Sequence, residues 1–198
     1  RREAMMKLSQ RKGKEGFTLI ELMIVVAIVG ILAVLAVYGV RKYLANAKTA
    51  EARNSLGQIA KDSAAQYERE SMQSTVLGQG SSANNSRALC ATEPKQPIPA
   101  FSSIAGKKYQ SQASDWNAGA ATNAGFSCLK FTIDAPQYYA YSYTESGTAG
   151  QPGETFVGTA NGDLNGDGVT STFSITGTVN SSYILNVAPN LLEQNPEE

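Results

Sequence analysis

The chain has 198 residues, with 17 basic and 17 acidic side chains and no histidine. A formal charge of zero gives no electrostatic footprint for nucleic acid, so DNA binding is not supported by charge. The missing imidazole removes the commonest general base and metal ligand; no catalytic residue and no cofactor are expected, calcium excepted, and the chain reads as a non-enzyme.

The neutral total hides an uneven distribution. Residues 1–16 carry Arg1, Arg2, Lys7, Arg11, Lys12 and Lys14 against Glu3 and Glu15, which leaves about +4 before residue 17 and about −4 after it. From Leu22 to Val40 there is no charged side chain. With Phe17 to Ile20 in front, this run reaches the roughly 20 residues that a helix needs to cross about 30 Å of hydrocarbon. The basic flank puts the N-terminus in the cytoplasm and the bulk of the chain outside. One carboxylate, Glu21, lies inside the run. An ionisable group at membrane depth costs on the order of a few kcal/mol, so it marks a functional site and needs a partner. The nearest candidate is a freed α-amino group at Phe17. Two plainer readings stand beside this one. Residues 1–40 could be an ordinary secretory signal or a simple anchor, with a small-residue cleavage site at Val34-Leu35-Ala36; Glu21 could merely snorkel to the interface. Against the first, Glu21 interrupts the apolar region and the helical sequence continues past Ala36.

Lys14-Glu15-Gly16, then Phe17-Thr18-Leu19-Ile20-Glu21-Leu22 and the apolar helix, resembles the class III signal and N-terminal helix of the type IV prepilins and their type II secretion pseudopilin relatives. The likeness is close over about the first 60 residues and loose beyond them. It implies that residues 1–16 are a cytoplasmic leader, cut between Gly16 and Phe17 by a prepilin peptidase that also N-methylates the new Phe17 terminus. Glycine suits such a cut, because without a Cβ the backbone can be approached closely. It also implies that Phe17 and Glu21 serve assembly. Four residues apart, they can pair within one helix; in a stack of subunits Glu21 would instead neutralise the Phe17 amine of its neighbour and fix the axial register. The implied partners are other pilin subunits in a homopolymer, the peptidase/methyltransferase, the inner-membrane assembly machinery and the membrane itself. The implied localisation is the bacterial inner membrane, single pass, and then a surface pilus. Many pilins carry proline at the position of Tyr38; here Tyr38 keeps its N–H, and Gly39 is the only nearby breaker, at about 1 kcal/mol.

Residues 17–40 form the membrane and assembly half of a long helix, and residues 41–72 its amphipathic half. In the second half Ala52, Leu56, Ile59, Ala60, Ser63 and Tyr67 recur at three- and four-residue steps, while Arg53, Lys61, Asp62, Glu68 and Arg69 fall mostly elsewhere on the wheel. Gly30, Ala27, Ala33 and Ala36 allow close helix approach in a bundle. Residues 73–125 are rich in Ser, Asn, Gln, Gly and Ala, with Pro94, Pro97 and Pro99 as breakers. They read as a long variable surface loop, with Trp116 and Tyr109 anchoring it to the core. Cys90 and Cys128 are the only cysteines. In an exported domain they are expected to pair, tying this loop to a first strand; two free buried thiols are the alternative.

From Phe126 to residue 198 the pattern is β. Leu129, Phe131 and Ile133 alternate, as do Tyr139, Tyr141 and Tyr143; Thr155 to Thr159, Phe173 with Ile175, and Tyr183 to Val187 follow. The expected architecture is α+β: one long N-terminal helix on a four- or five-stranded antiparallel sheet, the pilin fold. Between two of these strands, Asp163, Asn165 and Asp167 at alternate positions and then Gly168 reproduce the opening of a calcium loop. The twelfth position of such a loop is Ser174 rather than glutamate. Asn-Gly and Asp-Gly are also strong turn signals, so a hairpin turn is the other reading. The function expected from all this is a structural pilin subunit supporting motility or adhesion. The alternatives are a minor pilin or type II pseudopilin, and a secreted or membrane-anchored binding protein.

Overall fold

The computed structural model describes residues 16–69, 79–80 and 87–196. Residues 1–15 of the expected leader (residues 1–16) and much of the Ser/Asn-rich segment around residues 70–86 lie outside the described residues. The chain divides into two compact units, one ending at Arg41 and the other starting at Lys42.

Helix α1 spans Leu19–Tyr67. It runs through Gly30 and Gly39 without a break, since glycine weakens a helix but keeps the N–H that proline lacks. In the first unit every large apolar side chain from Phe17 to Val40 is 51–87% exposed. This stretch is long and apolar enough, by length and composition, to cross a membrane.

In the second unit, which we call the head, α1 is amphipathic. Its buried residues are Thr49, Ala52, Leu56, Ile59, Ala60, Ser63 and Tyr67, which includes every position picked out by the three- and four-residue spacing. They pack on a five-stranded antiparallel sheet. After the short strand β1 (Tyr109–Gln110), helix α2 (Ala113–Trp116), helix α3 (Gly125–Leu129) and strand β2 (Pro136–Gln137) come β3 (Tyr139–Ser146), β4 (Thr155–Gly162), β5 (Ser171–Val179), β6 (Leu185–Val187) and β7 (Leu192–Gln194). The order is β3-β4-β5-β6, and β7 also pairs with β5, so two short strands share one edge of β5. The other edge of the sheet is covered by an irregular segment. Ile98 and Tyr141 exchange backbone hydrogen bonds of 2.8 Å, and the Glu93 N–H donates to the Tyr143 carbonyl at 3.0 Å. The architecture is thus α+β, a long helix on an antiparallel sheet.

The alternating tyrosines of β3 all point into the core: Tyr139, Tyr141 and Tyr143 are each fully buried. Trp116 is buried too, with edge-on contacts to Phe126 at 5.1 Å and Phe131 at 5.4 Å, so it anchors the irregular region to the core. Cys90 and Cys128 form a disulfide.

One expectation is corrected here. The alternation Leu129, Phe131, Ile133 is not a strand. Phe126 and Leu129 lie in α3, three residues apart and both buried. Lys130 ends this helix in the left-handed conformation at φ 60°. The bridge from Cys90 therefore reaches a one-turn helix, and the sheet itself starts ten residues later, at Tyr139. The alternation misleads because the burial of Phe131 comes from the aromatic cluster around Trp116, not from a pleated face. Strand β7 was not foreseen either, since only Leu192 in it is apolar and all three of its residues are exposed.

Candidate processing and assembly site

Gly16 and Phe17 precede α1, and Phe17 is 87% exposed. Among the described residues, a Cβ at Gly16 would meet nothing within 4 Å. The helix begins with a capping box. The Glu21 N–H donates to Thr18 Oγ1 at 3.3 Å, while Glu21 Oε2 accepts the Thr18 backbone N–H at 2.9 Å and the Thr18 hydroxyl at 2.7 Å. Two donors that an open helix end leaves unpaired are thereby satisfied. In the uncut chain the Phe17 nitrogen is an uncharged amide, and the group that Glu21 holds is Thr18. Thr18 was missed in the sequence, although Thr-x-x-Glu before an apolar run is the signature of this cap. Ala27, Gly30, Ile31, Val34 and Leu35 line a shallow apolar depression further along the helix.

The acid-rich turn after β4 is built from backbone hydrogen bonds. Asp163 is only 1% exposed, and its two carboxylate oxygens accept the N–H groups of Gly166 at 2.6 Å and Gly168 at 3.1 Å. Asn165 Oδ1 accepts the Asp167 N–H at 2.9 Å, and Asp167 Oδ1 accepts the Val169 N–H at 2.7 Å. The geometry is that of nested turns in which side-chain oxygens serve the loop backbone. Among the described residues no three acidic, histidine or cysteine side chains converge as a metal cluster. The turn also braces a neighbour: the Gly106 N–H donates to the Asp163 carbonyl at 2.8 Å. A Cβ on Gly106, itself at φ +62°, would meet the Gly166 Cα at 3.2 Å, so the two backbones touch.

Two other buried acids act likewise. Glu154 accepts from the N–H groups of Leu89 and Gly150, both at 2.9 Å. Glu93 accepts from Phe126 at 2.8 Å and Lys95 at 3.2 Å. Each pins an irregular segment, and ionised acceptors of backbone N–H groups are strong anchors. Glu51 differs. Its carboxylate accepts the Tyr138 N–H at 3.1 Å to either oxygen and the Tyr141 hydroxyl at 3.1 Å. Burial pushes its carboxyl above the usual range, opposed by these bonds and by Lys108. The Lys48 ammonium stands 4.8 Å and the Lys108 ammonium 5.0 Å from the centre of the Tyr138 ring. This cluster draws on α1, on the segment before β1 and on the residue between β2 and β3, so no local motif announces it.

The arrangement defines a class: a folded head that follows a membrane-length apolar helix with a capped start. Residues 11–37 match the family model of the prokaryotic N-terminal methylation motif. With the helix-on-sheet fold, this supports a type IV pilin-like or pseudopilin substrate of prepilin peptidase. No curated protein and no solved structure matches the chain.

Proposed function

We propose that the chain is a structural subunit, cut between Gly16 and Phe17, N-methylated on Phe17 and polymerised through its N-terminal helix into a type IV pilus that serves motility or adhesion. The observation that carries this reading is the coincidence of the methylation motif with an apolar helix of which no large apolar side chain is covered by its own chain. Such a surface needs lipid before assembly and other helices after it. Cleavage converts the Phe17 amide into an amine that stays cationic when methylated. That cation competes with Thr18 for the Glu21 carboxylate, either in the same subunit or in the next. Subunits wait in the inner membrane with the head outside and then enter the surface filament. The protein itself carries out no chemistry, in keeping with a chain without histidine whose buried acids Glu93, Glu154 and Asp163 are occupied by backbone N–H groups.

Mass spectrometry of the mature N-terminus tests the reading. N-methylphenylalanine at residue 17 is expected; an intact leader or a cut after Ala36 would overturn it. Imaging of surface fibres in a deletion strain then separates a pilin from a pseudopilin, since only loss of the major subunit removes the fibres.

A further inference from the structure

Basic side chains in the head are not spread evenly. Residues 42–198 hold ten basic and fourteen acidic side chains, a formal −4, yet four of the ten fall in two short stretches, at Lys42 and Lys48 and at Lys107 and Lys108. The fold brings the two stretches together on one ring. Since Lys48 and Lys108 stand 4.8 and 5.0 Å from the centre of Tyr138, their charges lie within about 10 Å of each other. One tyrosine face does not offset two ammonium groups. Glu51, the carboxylate beside them, balances at most one of the two charges, and it also accepts from the Tyr138 N–H and the Tyr141 hydroxyl. Lys108 is held in place from both sides. Gly106 is tied to the Asp163 turn, and Tyr109 pairs with Gln137, next to Tyr138.

The position of this cluster along the chain selects its partner. Lys42 follows the apolar run by two residues and Lys48 by eight, about 3 Å and 12 Å of helical rise. The headgroup layer extends some 5–7 Å beyond the hydrocarbon, and an anionic surface is felt for about another 8 Å at physiological salt. A lysine stem adds further reach, its ammonium seeking the polar layer. We propose that Lys48 and Lys108, with Lys42 and Lys107 beside them in sequence, form a docking site for the headgroups of anionic phospholipids in the membrane that anchors the chain. This inference rests on the membrane-anchored reading above. Removal of the leader takes away the basic residues on the cytoplasmic side, and in the mature chain Lys42 and Lys48 are, after Arg41, the first cations to follow the apolar run in sequence. It would hold the head against the membrane until the subunit is lifted into a filament.

Amine footprinting tests this on the full chain reconstituted in vesicles. Acetylation of each lysine is followed by mass spectrometry in phosphatidylcholine alone and with about one-third phosphatidylglycerol. The expected result is that Lys48 and Lys108 react roughly threefold or more slowly in the anionic vesicles, that high salt removes the difference, and that Lys61, Lys95 and Lys130 are unaffected. In the double variant Lys48→Gln with Lys108→Gln, Lys42 and Lys107 should lose their protection while the chain still floats with the vesicles. A chain that floats with both kinds of vesicle but shows no selective protection overturns the inference and leaves the anchoring intact. Equal protection by inorganic phosphate in neutral vesicles overturns the lipid assignment. A chain that floats with neither overturns the anchoring, and the inference with it.

Discussion

Apolar side chains between Phe17 and Val40 stay 51–87% exposed, whereas the head core, from Leu56 and Ile59 on α1 to Phe156 and Phe173 on the sheet, is fully buried. The first region cannot satisfy its surface within its own chain; the second buries a continuous core and leaves only scattered apolar side chains such as Ile184 and Leu192 exposed. The first is also where a family model matches, at residues 11–37, and no curated protein or solved structure matches the chain as a whole. The contrast shows what each region answers to. On the proposed function the helix is to be cut, modified and packed against copies of itself, and each of these steps constrains particular residues. A head that must only fold and expose a surface is constrained by volume and hydrogen bonding, which many sequences can meet.

Predictions follow from keeping the two regions apart. The largest effect is expected in the head. Replacing Cys90 and Cys128 by serine opens a loop of 38 residues and should cost about 3–4 kcal/mol in the chain-entropy model. Near-ultraviolet circular dichroism in micelles should show a melting midpoint lower by roughly 6–16 °C, with membrane insertion unchanged. A smaller effect is expected at the acid-rich turn. Asp163→Ala removes the buried carboxylate that accepts the Gly166 and Gly168 N–H groups and should cost about 1–3 kcal/mol. We expect that loss to be the same with and without millimolar calcium, and the midpoint of the unaltered chain to stay put on calcium titration. A rise would assign the turn to the ion instead.

The smallest effects are two pH dependences of opposite sign. Arg53 bonds Glu193 through two nitrogens, at 2.8 and 3.0 Å, and these bonds hold the Glu193 carboxyl below its usual range. A lowered folded pKa gives stability that is present above the ordinary value of 4.5 and lost as the pH falls through the folded value. The pair is partly exposed, so Glu193→Gln should cost less than about 1 kcal/mol at pH 7, and nothing once the carboxyl is protonated. Glu51 is raised by burial, so its contribution is fully present below 4.5 and lost as the pH rises through the raised value. Glu51→Gln keeps an acceptor for Tyr138 and Tyr141 and should raise the midpoint slightly at pH 7 but not at acid pH. Melting curves of both variants across this range check the two signs.

The sequence made the helix and most of the sheet legible for different reasons. The three- and four-residue spacing from Ala52 to Tyr67 has one structural solution, and the alternating tyrosines of β3 lie on one buried face. The stretch from Leu129 to Ile133 was misread because a pleat and an aromatic cluster both bury alternate residues. At the N-terminal end, Glu21 stood out because a lone carboxylate in an apolar run is costly, and Gly16 and Phe17 through the resemblance to a class III signal. Thr18 did not, although its hydroxyl and N–H are what Glu21 holds in the uncut chain. The cluster of Lys48, Glu51, Lys108 and Tyr138 had no signal at all, since its members are up to 90 residues apart and only the fold joins them.

The central claim is that the charge of Glu21, and not its role in the cap, drives assembly, and one substitution separates the two. Glutamine at residue 21 still accepts from Thr18, because a capping box works with either residue, but it cannot neutralise a terminal amine. Thr18→Ala does the reverse, giving up about 0.5–2 kcal/mol of cap while keeping the charge. Surface fibre yield, measured for both variants beside the unaltered protein, should fall about tenfold or more for Glu21→Gln while the cut subunit collects in the membrane, and should persist for Thr18→Ala. Normal fibres at a normal rate from Glu21→Gln would contradict the account.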